Sequence, residues 1–129
     1  MTQKKLTIRL LKDSYAVCRL AKDDKPPVWI NDSEFYSVTK TADELSVVCL
    51  QKGIPNDIKC EKDWRILKVE GPLDFSLIGI LSSISTILAQ QRISIFAVST
   101  YDTDYILVKD ADIDSAVKAL ADENYEIIK

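Results

Sequence analysis

The sequence contains no histidine among its 129 residues. This absence excludes Ser-His-Asp and Cys-His nucleophilic sites and removes the commonest ligand of transition metals, although carboxylate chemistry and Mg²⁺ binding stay open. Glycine is also scarce, since only Gly53, Gly71 and Gly79 occur, and neither a phosphate-cradling glycine loop nor a nucleophile elbow is present. We therefore expect a protein that is not an enzyme and that has neither a cofactor nor a metal site.

Long hydrophobic runs are missing as well. The longest candidate, residues 77–89, is interrupted by serines and by Gly79, and it is shorter than the roughly 20 residues that cross a bilayer. The N-terminal stretch MTQKKLTIRLL lacks the apolar core and the cleavage site of a signal peptide. We therefore expect a cytoplasmic protein that does not associate with a membrane.

Cysteine is rare, and the basic residues form no cluster. Cys18, Cys49 and Cys60 are odd in number, lie far apart and form no CxxC pair, so reduced and mostly buried thiols are expected. The net charge is −3, with Lys and Arg scattered among acidic residues, whereas nucleic-acid-binding proteins carry a concentrated basic patch. We expect no nucleic-acid partner.

The C-terminal half has the clearer pattern of strands and helices. One strand ends at Gly71, and apolar residues then recur at helical spacing. The predicted order is strand, helix, strand, strand, helix, strand, over residues 64–71, 75–91, 94–100 and 105–109, a helix that Asp112 caps, and residues 125–128. This order predicts an α+β fold of the ferredoxin-like βαββαβ type, in which two helices cover one face of an antiparallel sheet.

The N-terminal half repeats part of this pattern. The stretch FYSVTKTADELSVV, residues 35–48, aligns without a gap with IFAVSTYDTDYILV, residues 95–108, at an offset of 60 that pairs Glu44 with Asp104. Two adjacent prolines, Pro26 and Pro27, exclude a helix before the first hairpin. We therefore predict a tandem, pseudo-duplicated protein with a reduced copy in residues 1–62 and a regular copy in residues 63–129.

The C-terminal half resembles the ACT-domain family. The resemblance rests on the pattern ISxFxxSTYxTDYxLV in residues 93–108 and on GPLDFxxxGIL, which begins at Gly71. It is similar to the small two-ACT proteins of bacteria and archaea and to the tandem ACT repeats of the CASTOR-type arginine sensors. ACT modules are regulatory domains that often bind amino acids, and the resemblance therefore implies a degenerate ACT-like unit followed by a regular ACT domain.

The resemblance also implies where a ligand would bind. In ACT modules of this kind, the ligand lies where the loop after the first strand meets the start of the second strand of a neighbouring domain, and the hairpin turn takes part in the arginine sensors. Carried onto this chain, the implied ligand-binding residues are Gly71, Pro72, Leu73, Asp74, Phe75, Gly79, Ser94, Ile95, Thr100, Tyr101 and Asp104. These residue types suit an amino acid, because amides at a helix start bind a carboxylate and an acidic side chain binds an ammonium.

Several of these residues also have a purely structural interpretation. Asp74 suits a helix N-cap, and Asp104 could close its turn through Asx-type hydrogen bonds. Leu77 and Ile78 occupy helix-start positions that we would expect to be polar in a pocket for a charged side chain. A ligand with an apolar side chain, or no ligand at all, is therefore left open.

The resemblance further implies a homodimer, because ACT ligand sites form between domains and one regular unit offers only half of such a site. We predict a non-catalytic regulatory module that binds an amino acid or a similar small molecule at a domain or subunit interface. The alternative is a protein–protein interaction module that has the ACT-like fold and binds no small molecule.

Overall fold

The computed structural model describes residues 6–71 and 78–129 of the chain. In these ranges two short 3₁₀ turns, Val28–Ile30 and Asp110–Asp112, accompany the strands and helices. The strands are β1 (Thr7–Leu10), β2 (Tyr15–Leu20), β3 (Ser37–Lys40), β4 (Leu45–Leu50), β5 (Lys59–Val69), β6 (Ile95–Ser99), β7 (Asp104–Lys109) and β8 (Glu126–Ile128), and the helices are α1 (Ile80–Gln90) and α2 (Ile113–Asp122). No helix within the two described ranges is long and apolar enough to cross a membrane.

The chain divides into two compact units. Asp13–Trp64 form the N-terminal unit, and Met1–Lys12 together with Arg65–Lys129 form the C-terminal unit. The expected boundary after residue 62 lies two residues from the observed one, but the segment that contains β1 belongs to the C-terminal unit instead. The interpretation of the N-terminal unit as a degenerate copy stays a prediction.

The N-terminal unit is an antiparallel sheet in the order β3-β4-β2-β5, to which β5 contributes its first half. No helix follows β2, as the two prolines predicted. The 3₁₀ turn Val28–Ile30 comes directly after them and inserts Ile30 into the core. The other fully packed members of this core come from the strands and are Ala16, Cys18, Leu45, Val47 and Cys49.

The C-terminal unit has the predicted ferredoxin-like order β5-α1-β6-β7-α2-β8. Both helices are amphipathic and pack on one face of the strands. Leu88 of α1 and Leu120 of α2 meet Leu67 of β5 and Ile106 of β7 in one buried cluster. The fold is therefore of the α+β, ferredoxin-like class.

Helix α1 begins later than the spacing of apolar residues predicted. Its first residue is Ile80, and Gly79 at the N-cap has a left-handed φ of 78°. A Cβ at this position would meet nothing within 4 Å, so the backbone angle, and not close packing, is what favours glycine here. The helical start expected at residue 75 is wrong, because Ile78 and Gly79 are not helical.

Strand β1 lies between β5 and β8, which changes the expected sheet. It runs antiparallel to β5, with Ile8 opposite Val69, and parallel to β8, with Ile8 opposite Ile127. The strand order of the C-terminal unit is thus β6-β7-β5-β1-β8. The segment was predicted to open the N-terminal copy, but burial of Ile8 in the core of the C-terminal unit places it there.

The two hairpins are equivalent at an offset of 59 residues. The first closes with a 2.9 Å bond from the Thr41 amide to the Glu44 carbonyl, and the second with a 2.8 Å bond from the Thr100 amide to the Thr103 carbonyl. These matching bonds lie 59 residues apart in sequence. The predicted offset of 60, which paired Glu44 with Asp104, is therefore wrong by one residue.

Burial agrees with the shorter offset. Val47 and Cys49 face the core of the N-terminal unit, and Ile106 and Val108 face the core of the C-terminal unit. Side chains alternate between the two faces of a strand. An offset longer by one residue would therefore align each core position of one hairpin with a position on the other face of the second hairpin. In the sequence, the continuous apolar runs at residues 47–49 and 106–108 hide this alternation. Both the turn hydrogen bonds and the faces on which the core residues lie distinguish the two offsets in the structure.

The position of β1 makes Ile8 a critical core residue. We expect Ile8→Ala to lower the free energy of unfolding by about 2–5 kcal/mol, because it leaves a cavity between β1 and the helices. Urea denaturation followed by circular dichroism measures this change. Lys12→Ala, at an exposed position just past β1, should stay within about 0.5 kcal/mol of the parent, and an equally small effect at Ile8 would contradict the observed pairing.

Candidate functional site

The turn between β6 and β7 is closed by a threonine instead of a glycine. Besides the backbone bond, the Thr100 hydroxyl donates to the Thr103 carbonyl at 3.0 Å and accepts from the Thr103 amide at 3.3 Å. Tyr101, at the tip of the turn, is 81% exposed. Thr41 makes the same type of bonds in the first hairpin. The polar turn residues thus have a structural role in both hairpins.

Asp104 lies at the base of this turn, opposite Ser99 in the strand register. The Ser99 hydroxyl donates to one oxygen of the Asp104 carboxylate at 2.5 Å. Because Thr100 closes the turn, the Asx-type closure considered for Asp104 is not the geometry observed. The carboxylate is partly exposed and sits on an ordered strand end, which is a suitable place for an anion that binds a cation.

Thr103 was expected at most to place a hydroxyl acceptor near Asp104, and instead it donates the best-defined hydrogen bond in this region. Its side chain is 4% exposed, and its hydroxyl donates to the Val69 carbonyl at 2.6 Å. This bond holds the hairpin turn against the end of β5, two residues before Gly71. Nothing in the sequence distinguishes this threonine from its neighbours, because a turn sequence does not show which hydroxyl points inward.

The end of β5 is also held from its other side. The Glu70 amide donates to the Thr7 carbonyl at 2.8 Å, and the Arg9 side chain forms an ion pair with the Glu70 carboxylate. Gly71 follows directly and is exposed. The predicted residues Pro72, Leu73, Asp74 and Phe75 lie outside the described residues.

The start of α1 offers backbone amides. Gly79 occupies the N-cap position that was considered for Asp74, and no side chain makes a capping hydrogen bond there. Its carbonyl accepts from the Ser83 amide at 2.8 Å, which begins the helical ladder. Ile78, just before the cap, is 95% exposed, so an apolar side chain stands beside the first turn of the helix.

Strand β6 is an edge of the described sheet, since it pairs with β7 alone among the described strands. The closing pair of the turn is hydrogen-bonded, and bonded and non-bonded pairs alternate along an antiparallel ladder. The backbone groups of Ile95, Ala97 and Ser99 therefore point away from β7. Ile95 presents its backbone at this edge as predicted, while its side chain packs on the core, and Ser94 is exposed.

The structure thus arranges the described part of the predicted site in two groups. Thr100, Tyr101 and Asp104 gather near Gly71 at one end of β6, because of the Thr103–Val69 bond. Ser94 lies at the opposite end of β6, about 17 Å away at about 3.3 Å per residue. In the described ranges no group of three or more His, Cys, Asp or Glu side chains is arranged to hold a metal ion.

Comparison with known proteins identifies the family of this chain. The ACT-domain family model matches residues 59–122, and a second model, which describes an N-terminal domain, matches residues 13–57. The chain belongs to the ACT-domain family. Protein Atu0741 from Agobacterium tumefaciens is similar in structure to this ACT chain, with a TM-score of 0.91 and 34% identity over 98% of this chain and 94% of that one.

More distant relatives share the fold or part of the sequence. The ligand-free regulatory subunit of aspartate kinase from Thermus thermophilus has a TM-score of 0.62 at 10% identity, covering 92% of this chain and 99% of that one, which shows the fold alone. The cytosolic arginine sensor for mTORC1 subunit 1 from Bos taurus is 28% identical over 101 residues, 70% of this chain and 31% of that protein. This ACT chain therefore spans about a third of the length of the arginine-sensor relatives it matches.

The Thr103–Val69 contact can be tested directly. We expect Thr103→Val to lower the free energy of unfolding by about 1–3 kcal/mol, because the shape is kept and a buried carbonyl loses its donor. Urea denaturation measures the loss. Thr41→Val, where the hydroxyl is exposed, serves as the control and should lower the free energy of unfolding by less. Equal losses in the two variants would show that the buried Thr103 hydrogen bond contributes no more to stability than an exposed one.

Proposed function

We propose that this ACT chain is a non-catalytic regulatory module that binds an amino acid between two copies of itself. The observation that carries the proposal is the buried Thr103–Val69 hydrogen bond, because it holds an acidic turn against the end of β5. Membership of the ACT family supports a regulatory role. So does the name of one relative, the cytosolic arginine sensor.

The two charged groups of an amino acid find complementary groups in this region. The Asp104 carboxylate suits the ammonium, with the Ser99 hydroxyl fixing its orientation. The first-turn amides of α1, beyond the uncapped Gly79, suit the carboxylate, since a helix start presents N–H groups and the positive end of the helix dipole. Gly71, which is exposed, lets a ligand approach the backbone closely.

The edge of β6 supports the participation of a second copy. Two β6 strands related by a two-fold axis at Ala97 would pair antiparallel, and the backbone groups that point outward on each strand would then face one another. In this pairing Ser94 of one copy lies beside the hairpin turn of the other. The two groups of predicted residues, which are separated within one chain, would come together across the interface.

The ligand that suits this site best has an apolar side chain. Ile78 is almost fully exposed beside the helix start, and burying it under a ligand would add favourable apolar contact area. A side chain with a cationic end would instead require an acidic or polar group at this position. We therefore favour an amino acid with an aliphatic or aromatic side chain over arginine.

A thermal-shift panel of the twenty amino acids tests the proposed ligand class. We expect one or more apolar amino acids to raise the melting temperature, because a ligand at 100 times its Kd stabilises the folded state by about 2.7 kcal/mol. Charged amino acids should give no shift. A panel without any shift would contradict amino-acid binding and would favour the protein–protein interaction alternative.

Two aspartates in or next to the same turn provide matched variants for any amino acid that raises the melting temperature. Asp104→Asn keeps an acceptor for the Ser99 hydroxyl and removes the charge, and we expect it to abolish the shift without lowering the melting temperature of the free protein. Asp102→Asn removes the same charge two residues away at an exposed position and should retain the shift. Loss of the shift in both variants would indicate a general charge effect, and retention in both would place the ammonium elsewhere.

Proline substitution tests the proposed pairing of β6 edges. We expect the parent protein to be a dimer by light scattering at micromolar concentration and Ala97→Pro to be a monomer, because proline removes an amide that points away from β7. The ladder to β7 is kept, so the variant should remain folded by circular dichroism. A parent that is monomeric, or an Ala97→Pro dimer, would contradict this interface independently of the amino-acid panel.

A further inference from the structure

The three cysteines, far apart in sequence, meet in the core of the N-terminal unit. Cys18 lies on β2, Cys49 on β4 and Cys60 on the first half of β5, and β2 is the strand between the other two. All three thiols are free and belong to the same hydrophobic cluster.

The strand register distinguishes the three pairs. Cys18 and Cys60 are directly opposite each other, and opposite residues of an antiparallel pair have Cα atoms about 4.5–5.5 Å apart, which suits a disulfide. Cys49 is opposite Ala16 and hence diagonal to Cys18, at about 7–8 Å, beyond the usual disulfide range. Cys49 and Cys60 are two strands apart and offset by two residues along the strands, at about 11–12 Å.

Solvent access distinguishes the thiols in a second way. Cys18 is 1% exposed and Cys49 is fully buried, whereas Cys60 is partly exposed on the segment of β5 at the edge of the N-terminal unit's sheet. Burial raises the pKa of the Cys60 thiol, and the neighbouring Lys62 cation opposes this rise. The hydrogen bond to Cys49 and burial together raise the pKa of Cys18. Cys60 is therefore the thiol that a dissolved oxidant reaches first.

We propose that Cys60 and Cys18 form a peroxide-sensitive thiol pair, in which Cys60 is oxidised first and Cys18 then forms a disulfide with it. In the first step the Cys60 sulfur attacks one peroxide oxygen, the O–O bond breaks, and a sulfenic acid and water form. In the second step the Cys18 sulfur attacks the Cys60 sulfur, and the hydroxyl group leaves with the Cys18 proton as water. Two thiols thus lose two electrons to one peroxide, which becomes two waters.

This site does not depend on the proposed amino-acid site, since its three cysteines all belong to the N-terminal unit. The cross-strand contact holds the two sulfurs ready to react, which favours the second step over attack by a thiol from solution. Cys49 cannot compete for Cys60, because β2 lies between their strands. The pairing is therefore expected to be selective, with Cys49 left as a thiol.

Peptide mapping of the oxidised full chain tests the proposal. The native protein is treated with hydrogen peroxide, denatured, alkylated with iodoacetamide and digested with trypsin without reduction. The three cysteines fall in three different tryptic peptides, residues 13–19, 41–52 and 60–62. We expect a peptide of residues 13–19 linked to residues 60–62, lighter than the sum of the two by two hydrogen atoms, together with alkylated Cys49.

Matched variants and the denatured chain provide the controls. Cys49→Ala should keep the linked peptide and Cys60→Ser should abolish it, while oxidation in urea should give mixed pairs, because the fold no longer selects one. In the parent protein, a disulfide that includes Cys49, a bond between two chains only, overoxidation of Cys60 without a link, or three alkylated cysteines would each overturn the proposal. Because the parent alone decides the outcome, an unstable variant does not prevent the test.

Discussion

The pairing of β1 with both β5 and β8 is the constraint on which the C-terminal unit depends. β1 lies between β5, from the middle of the chain, and β8, from its C-terminal part, and each neighbour satisfies one edge of its backbone. Ile8 belongs to the buried core in which α1 and α2 pack against the strands. Without this strand β5 and β8 would each have an unpaired edge, and unpaired backbone groups and lost burial both raise the free energy of the folded state.

The position of the candidate site depends on this pairing, because β1 holds the end of β5 in place. The end of β5 is held by β1 through Glu70 on one side and by the hairpin turn through Thr103 on the other. The acidic side chain of Asp104 is therefore carried by a strand end whose position is determined by two sets of hydrogen bonds. In the proposed function this site acts by recognition, with donors and acceptors positioned before a ligand arrives.

Three features of the structure differ from the sequence-based predictions for specific physical reasons. The helix start was placed at residue 75 because apolar spacing cannot show that Gly79 adopts a left-handed angle. The hairpin offset was one residue too long because three consecutive apolar residues in each second strand, 47–49 and 106–108, hide the alternation, and acidic residues occur in both turns. The segment with β1 was assigned to its neighbours in sequence, since no local pattern indicates a partner strand about 60 residues away.

The sequence by itself determined the order of strands and helices, the absence of a helix after Pro26 and Pro27, the polar hairpin turns and membership of the ACT family. These features follow from periodicity, from backbone restrictions and from motifs, which act over a few neighbouring residues. Only the tertiary structure decided that β1 lies beside β5, that the Thr103 hydroxyl points inward and that Cys18 faces Cys60. Such contacts join segments remote in sequence, and they are selected by the burial and hydrogen bonding that all segments reach together when the chain folds.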